Sequence, residues 1–137
     1  SFNIEKIKTI GDAYLVVSGL PDYREDHAYV MAQMALSMNN SIQSINDKED
    51  THLELRIGLH SGPVIGGVIG KNKFTFDIWG DTVNLASRLE THGTAGKIHI
   101  SENTYEIIKD KFECESCGVI DLKSYGEQNT YFLLGEK

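Results

Sequence analysis

Asn84 and Arg88 stand four residues apart in the stretch TFDIWGDTVNLASRLE, Thr75 to Glu90. On a helix that spacing puts them on one face, one turn apart. An amide and a guanidinium near a helix N-terminus suit an anion, and Arg88 can grip a phosphate through two parallel hydrogen bonds. Asp77 lies just upstream, where a carboxylate can accept a hydrogen bond from an amino group such as that of a nucleobase. Spacing alone leaves two readings open: an anion site, or a capped surface helix with a solvated arginine.

The other candidates point elsewhere. Cys114 and Cys117 form C-E-S-C with no second pair to complete a zinc site. They read as reduced thiols at a strand entrance between Phe112 and Val119. His60 reads as a structural hydrogen-bonding residue. Gly70-Lys71 fails the phosphate-loop pattern, because position 65 is Ile and Asn72 replaces the Ser or Thr. Gly62, Gly66, Gly67 and Gly70 read instead as places for turns or close backbone approach.

These residues need a scaffold. The chain has 137 residues, 40% of them hydrophobic, which suits one domain with a sizeable core. A net charge of −7 without a basic run argues against a nucleic-acid surface. No apolar run approaches the roughly 20 residues that span a bilayer. The absence of a signal-peptide pattern, and a first segment that is β-like without a methionine, lead to two expectations: a cytoplasmic protein, or the cytoplasmic domain of a larger or membrane-bound one.

Phe2 to Ile10 and Ala13 to Val17, joined by Gly11-Asp12, predict a β-hairpin with Asp12 at its tip. A long helix starts near Glu25, with Met31, Met34, Ala35, Met38, Ile42 and Ile45 as a buried stripe. Leu53 to His60 predicts a strand. After Thr75 to Trp79 and a break at Gly80, Asp81 or Thr82 is the expected cap of the next helix. Lys97 to Ile100 predicts a strand, and Ser101 caps a helix over Glu102 to Lys109. Val119 to Leu122 and Thr130 to Leu134 are the last expected strands. This mixed order implies an α+β sandwich with helices packed on one sheet.

The motifs EKIKTIGDAYLVVSGLP (Glu5 to Pro21), LRIGLHSGPVIGGVIG (Leu55 to Gly70), FDIWGDTVNLASRLE (Phe76 to Glu90) and AGKIHIS (Ala95 to Ser101) resemble the class III nucleotidyl cyclases. These enzymes make cyclic AMP or cyclic GMP. The resemblance covers almost the whole chain, read as a single cyclase catalytic domain over residues 1–137. It implies a ferredoxin-like βαββαβ-derived sandwich whose sites lie at the interface of a head-to-tail dimer.

The resemblance also implies roles. Asp12 matches one of two aspartates that hold two Mg²⁺ or Mn²⁺ ions. Lys8 and Asp77 match the pair that reads adenine, where guanylate-specific members usually carry Glu and Cys. Asn84 matches the residue that orients the ribose, and Arg88 the one that stabilises the reacting phosphate. Lys123 matches a lysine on the terminal phosphates, and Lys97 falls where an Arg often binds the triphosphate. The implied function is adenylate cyclase: ATP to cyclic AMP and pyrophosphate, for signal transduction. The implied partners are a second cyclase domain, as a homodimer, and an upstream regulatory or sensor domain. Guanylate cyclase and a non-catalytic dimerisation or nucleotide-sensing module are the alternatives. The family's first metal aspartate lies in a segment before the hairpin, so the domain is expected to be incomplete at its N-terminus and this chain alone inactive.

Overall fold

The computed structural model describes residues 5–10, 13–19, 25–63, 65–69, 75–122 and 125–137, and of these only the backbone at 5–10, 65–69 and 75–79. The elements run β1 (Glu5–Ile10), β2 (Ala13–Val17), α1 (His27–Glu49), β3 (Ile57–Leu59), β4 (Ile65–Ile69), β5 (Thr75–Trp79), α2 (Asp81–Thr91), β6 (Ile98–Ser101), α3 (Glu102–Ile108), β7 (Phe112–Leu122) and β8 (Gly126–Glu136). β1 and β2 pair antiparallel with Ile10 opposite Ala13, as the hairpin expectation requires. The turn residues Gly11 and Asp12 lie outside the described ones.

Among the described residues the strands form two antiparallel pairs, β1–β2 and β4–β5, and a four-stranded sheet in the order β3-β6-β8-β7. β3 runs parallel to β6, whereas β8 is antiparallel to both β6 and β7. The core gathers Ala28, Ala32 and Ala35 of α1, Leu59, Ile98, Ile100 and Leu133 of the sheet, and Ile108 and Phe112. The three alanines follow helical spacing, and their small side chains let α1 lie close to the sheet. Asn39 extends the same face and donates to the Gly96 carbonyl at 3.3 Å. Of the expected stripe, Ala35 is in the core and Met31 packs at its margin, while Met38 and Ile45 are exposed.

Three further expectations are corrected. The strand foreseen from Leu53 begins only at Ile57. The Asn46 side chain takes both backbone polar groups of Leu53, accepting from its N–H at 2.9 Å and donating to its carbonyl at 2.8 Å, so Leu53 cannot enter a ladder. The cap of α2 is Gly80, at φ 118°, rather than Asp81 or Thr82. Thr82 lies inside the helix and donates to the Pro63 carbonyl instead, at 2.6 Å. Cys114 and Cys117 sit within β7, not at its entrance, because β7 and β8 form a hairpin of 11 residues a side with two register shifts. Ser101 does cap α3, accepting from the Thr104 N–H at 3.2 Å.

α2 meets the sheet at Gly58. A Cβ there would strike the Glu90 backbone nitrogen and come within 2.7 Å of the Ala86 carbonyl oxygen. Neither is the end of a flexible side chain, so only a hydrogen at Gly58 admits this approach. Gly58→Ala is therefore expected to destabilise the domain by about 1–3 kcal/mol. A chemical denaturation midpoint equal to wild type would contradict the packing.

Candidate active site

β5, Gly80 and α2 form one continuous strand–turn–helix unit, and three of the seven predicted site residues lie on it. Asp77 is on β5, opposite Gly67 of β4. Asn84 and Arg88 are on α2, Asn84 exposed and Arg88 half-buried. Lys8 is on β1, which lies against β5, so the strands carrying Lys8 and Asp77 are neighbours. The β1–β2 register slips between Lys6 and Lys8, giving a bulge immediately before Lys8. Bulges of this kind re-aim side chains and recur beside active sites. The sequence offered no cue to it.

Neither Asn84 nor Arg88 lines the groove of about 1630 Å³ that runs between β2, α1, β3 and α2. α2 lines that groove with Thr82, Val83, Ala86, Ser87, Glu90 and Thr91. Among the described residues Arg88 has no ion-pair partner, whereas Glu90 is held by Arg56 at 3.0 Å. One part of the expectation changes. α2 is only 11 residues long, so Arg88 falls in its last turn and not near its N-terminus. Any anion held by Arg88 is therefore gripped by the guanidinium itself, without help from the positive end of the helix.

Lys97 is exposed just before β6, with its Nζ 5.8 Å from the centre of the Phe132 ring. Asp12 and Lys123 lie outside the described residues. Among the described residues no group of three or more His, Cys, Asp or Glu side chains could hold a metal ion. Burial pushes the Cys114 and Cys117 thiols up, so neither is a ready thiolate at neutral pH.

Two polar clusters were not visible as such in the sequence. His60 Nδ1 is 2.7 Å from Ser101 Oγ, and Ser61 Oγ is 2.9 Å from Thr104 Oγ1, joining the end of β3 to the start of α3. His60 thus has the structural role expected of it. His99, in the middle of β6, is 1% exposed and bonded through both ring nitrogens. Burial lowers the pKa of both histidines; at His99 the bond to Leu89 opposes that shift and nearby His92 adds to it.

The profile of the adenylate and guanylate cyclase catalytic domain matches residues 1–135. The chain belongs to this family. It is 45% identical to the receptor-type guanylate cyclase gcy-28 of Caenorhabditis elegans over 141 residues, which is 100% of this chain and 11% of that protein. It is 42% identical over 134 residues to an adenylate cyclase of Mycobacterium tuberculosis, 98% of this chain and 30% of that protein. The guanylate cyclase domain of RhGC from Catenaria anguillulae, solved in complex with GTP, superposes with a TM-score of 0.92 at 40% identity. That match covers 99% of this chain and 75% of the solved one. The mixed α+β architecture is thus that of the cyclase catalytic domains. Relatives include both adenylate and guanylate cyclases, and the chain spans less than a third of these two curated relatives. Among the described residues no helix is long and apolar enough to cross a membrane.

The two histidines set a pH dependence of cyclase-domain stability. Each is held neutral when folded, while the unfolded chain takes up a proton near the ordinary value of 6.5. Stability is then fully present above pH 6.5 and is lost as pH falls through the lower folded values. Denaturation midpoints measured from pH 7.5 to 5 should fall, and His99→Asn should flatten part of the fall. A midpoint that is constant or rises on acidification would refute neutral burial.

Proposed function

We propose that this cyclase domain is an adenylate cyclase, converting ATP to 3′,5′-cyclic AMP and pyrophosphate at an interface with a second cyclase domain, as a homodimer. The observation that carries the reading is the adjacency of β1 and β5, with β5 running straight into α2. Asp77, Asn84 and Arg88 share one continuous strand–turn–helix piece of chain, and Lys8 is carried by the strand that lies against it. Lys8 donates and Asp77 accepts, which suits the ring nitrogen and the amino group of adenine. Asn84 orients the ribose so that its 3′-hydroxyl attacks the α-phosphorus in line. Arg88 faces the oxygens on which charge develops, where a fixed guanidinium is worth more than in water. Lys97 and Lys123 hold the triphosphate.

Domains of this family use divalent metal ions. In this reading Asp12 would be one protein ligand of two Mg²⁺ or Mn²⁺ ions, which when bound would supply Lewis-acid activation of the 3′-hydroxyl and charge neutralisation of the triphosphate. An upstream regulatory or sensor domain in a cytoplasmic or membrane-attached parent fits the partial coverage of the relatives. Guanylate cyclase is the second reading, favoured by the similarity to gcy-28 and to the GTP-bound fungal domain. Lys8 and Asp77 weigh against it, because guanine reverses the donor and acceptor pattern at the positions they would meet.

In the complete protein, Arg88→Ala and Asn84→Ala are each expected to lower turnover by roughly 10²–10³-fold. The stability loss for Arg88→Ala should stay within about 1 kcal/mol, the worth of a cation in a last helical turn. Wild-type turnover in both folded variants would reject the assignment. With ATP and GTP compared at equal concentration, the wild type should prefer ATP, and Lys8→Glu with Asp77→Cys should erode that preference. Preference for GTP in the wild type would establish the second reading.

A further inference from the structure

The last four carbonyls of a helix have no partner within it. In α2 the Arg88 carbonyl accepts from the His92 N–H at 2.8 Å and the Glu90 carbonyl from the Gly93 N–H at 3.1 Å. Gly93 would be the ordinary partner of Leu89 but is taken by Glu90. The Leu89 carbonyl is satisfied instead by a side chain from the sheet, with His99 Nδ1 at 2.8 Å. A carbonyl can only accept, so Nδ1 carries the proton. In the neutral ring Nε2 is then bare and accepts from the Thr130 hydroxyl of β8, also at 2.8 Å. His99 and Thr130 are each 1% exposed, so no water competes for these bonds.

The backbone places this ring where α2 docks. His99 is the β6 partner of Gly58, the residue on which the α2 backbone rests. The helix is therefore seated on a glycine of β3 and held at the next carbonyl by the neighbouring strand. Leu89 itself is fully buried, and Arg88 immediately precedes it. Near His99 stand His92, beyond the end of α2, and Lys97, across the Phe132 ring, while Glu90 of α2 rests on Gly58 and the Cys117 thiol of β7 bonds Thr130.

We propose that His99 is a positioning residue for Arg88: its Nδ1–H bond to the Leu89 carbonyl, braced by Thr130, fixes the roll of the last turn of α2 and so aims the guanidinium. This rests on the cyclase reading of Arg88. Because Arg88 acts there on charge that develops in the transition state, misplacing it lowers kcat and leaves KM for ATP nearly unchanged.

The test is steady-state cyclase kinetics of the complete protein, with folding followed by thermal melts. His99→Leu removes the donor and is expected to lower kcat about 10-fold or more, within the roughly 10²-fold that a 1 Å misplacement can cost. His99→Asn places an amide N–H where Nδ1 stood, and should restore kcat. Thr130→Val, nearly isosteric, frees the ring and should lower kcat in the same sense even if His99→Leu does not fold. In an Arg88→Ala background none of these changes should lower kcat further. Folded His99→Leu or Thr130→Val with wild-type kcat would overturn the inference, as would His99→Asn as impaired as His99→Leu, or losses that persist undiminished without Arg88. Wild-type kcat in Arg88→Ala alone would instead sink the cyclase reading of that residue.

Discussion

The seat of α2 on Gly58 is the contact on which the rest of the site depends. A helix backbone and a strand backbone meet there without a side chain between them, which fixes their separation more tightly than interleaved side chains could. Everything carried by α2 inherits that distance. The helix is then secured at three further places. Thr82 holds the Pro63 carbonyl near its start, Glu90 pairs with Arg56, and Leu89 is buried beneath the His99 bond. These contacts leave Asn84 exposed and Arg88 half-buried, and neither takes part in the docking.

The same economy explains why β5 and α2 are joined by a single glycine. A positive φ at Gly80 turns the chain from strand to helix in one residue. That sets Asp77, at a β position, and Asn84, one turn into α2, at a fixed offset. Groups that must read a base and hold a phosphate of one nucleotide profit from such rigidity, since pre-set geometry removes ordering costs at the moment of reaction.

Much of this was legible from the sequence where one local rule governed. The hairpin over β1 and β2, the cap by Ser101, and the shared face of Asn84 and Arg88 each follow from spacing within a few residues. The failures share a cause, which is that a distant partner decided the outcome. Leu53 alternates like a strand residue, but Asn46 claims its backbone. Thr82 has a capping side chain, but Pro63 uses it. Met38 fits a helical stripe, but α1 docks through its alanines. His99 sits in the short run IHIS, where nothing local says that all four residues are buried. Only the packing of α2 over this strand makes His99 a buried one. The roles proposed for Lys8, Asp77, Asn84 and Arg88 rest on family motifs and not on pattern, because no periodicity encodes which base a carboxylate will meet.

The central claim is that one nucleotide is read by the β1–β5 strands and cyclised against the face of α2 that carries Asn84 and Arg88. Product stoichiometry tests it most directly. The complete protein is incubated with ATP and magnesium or manganese, and all products are quantified. The account predicts cyclic AMP and pyrophosphate in equal amounts. ADP and inorganic phosphate in their place would contradict it.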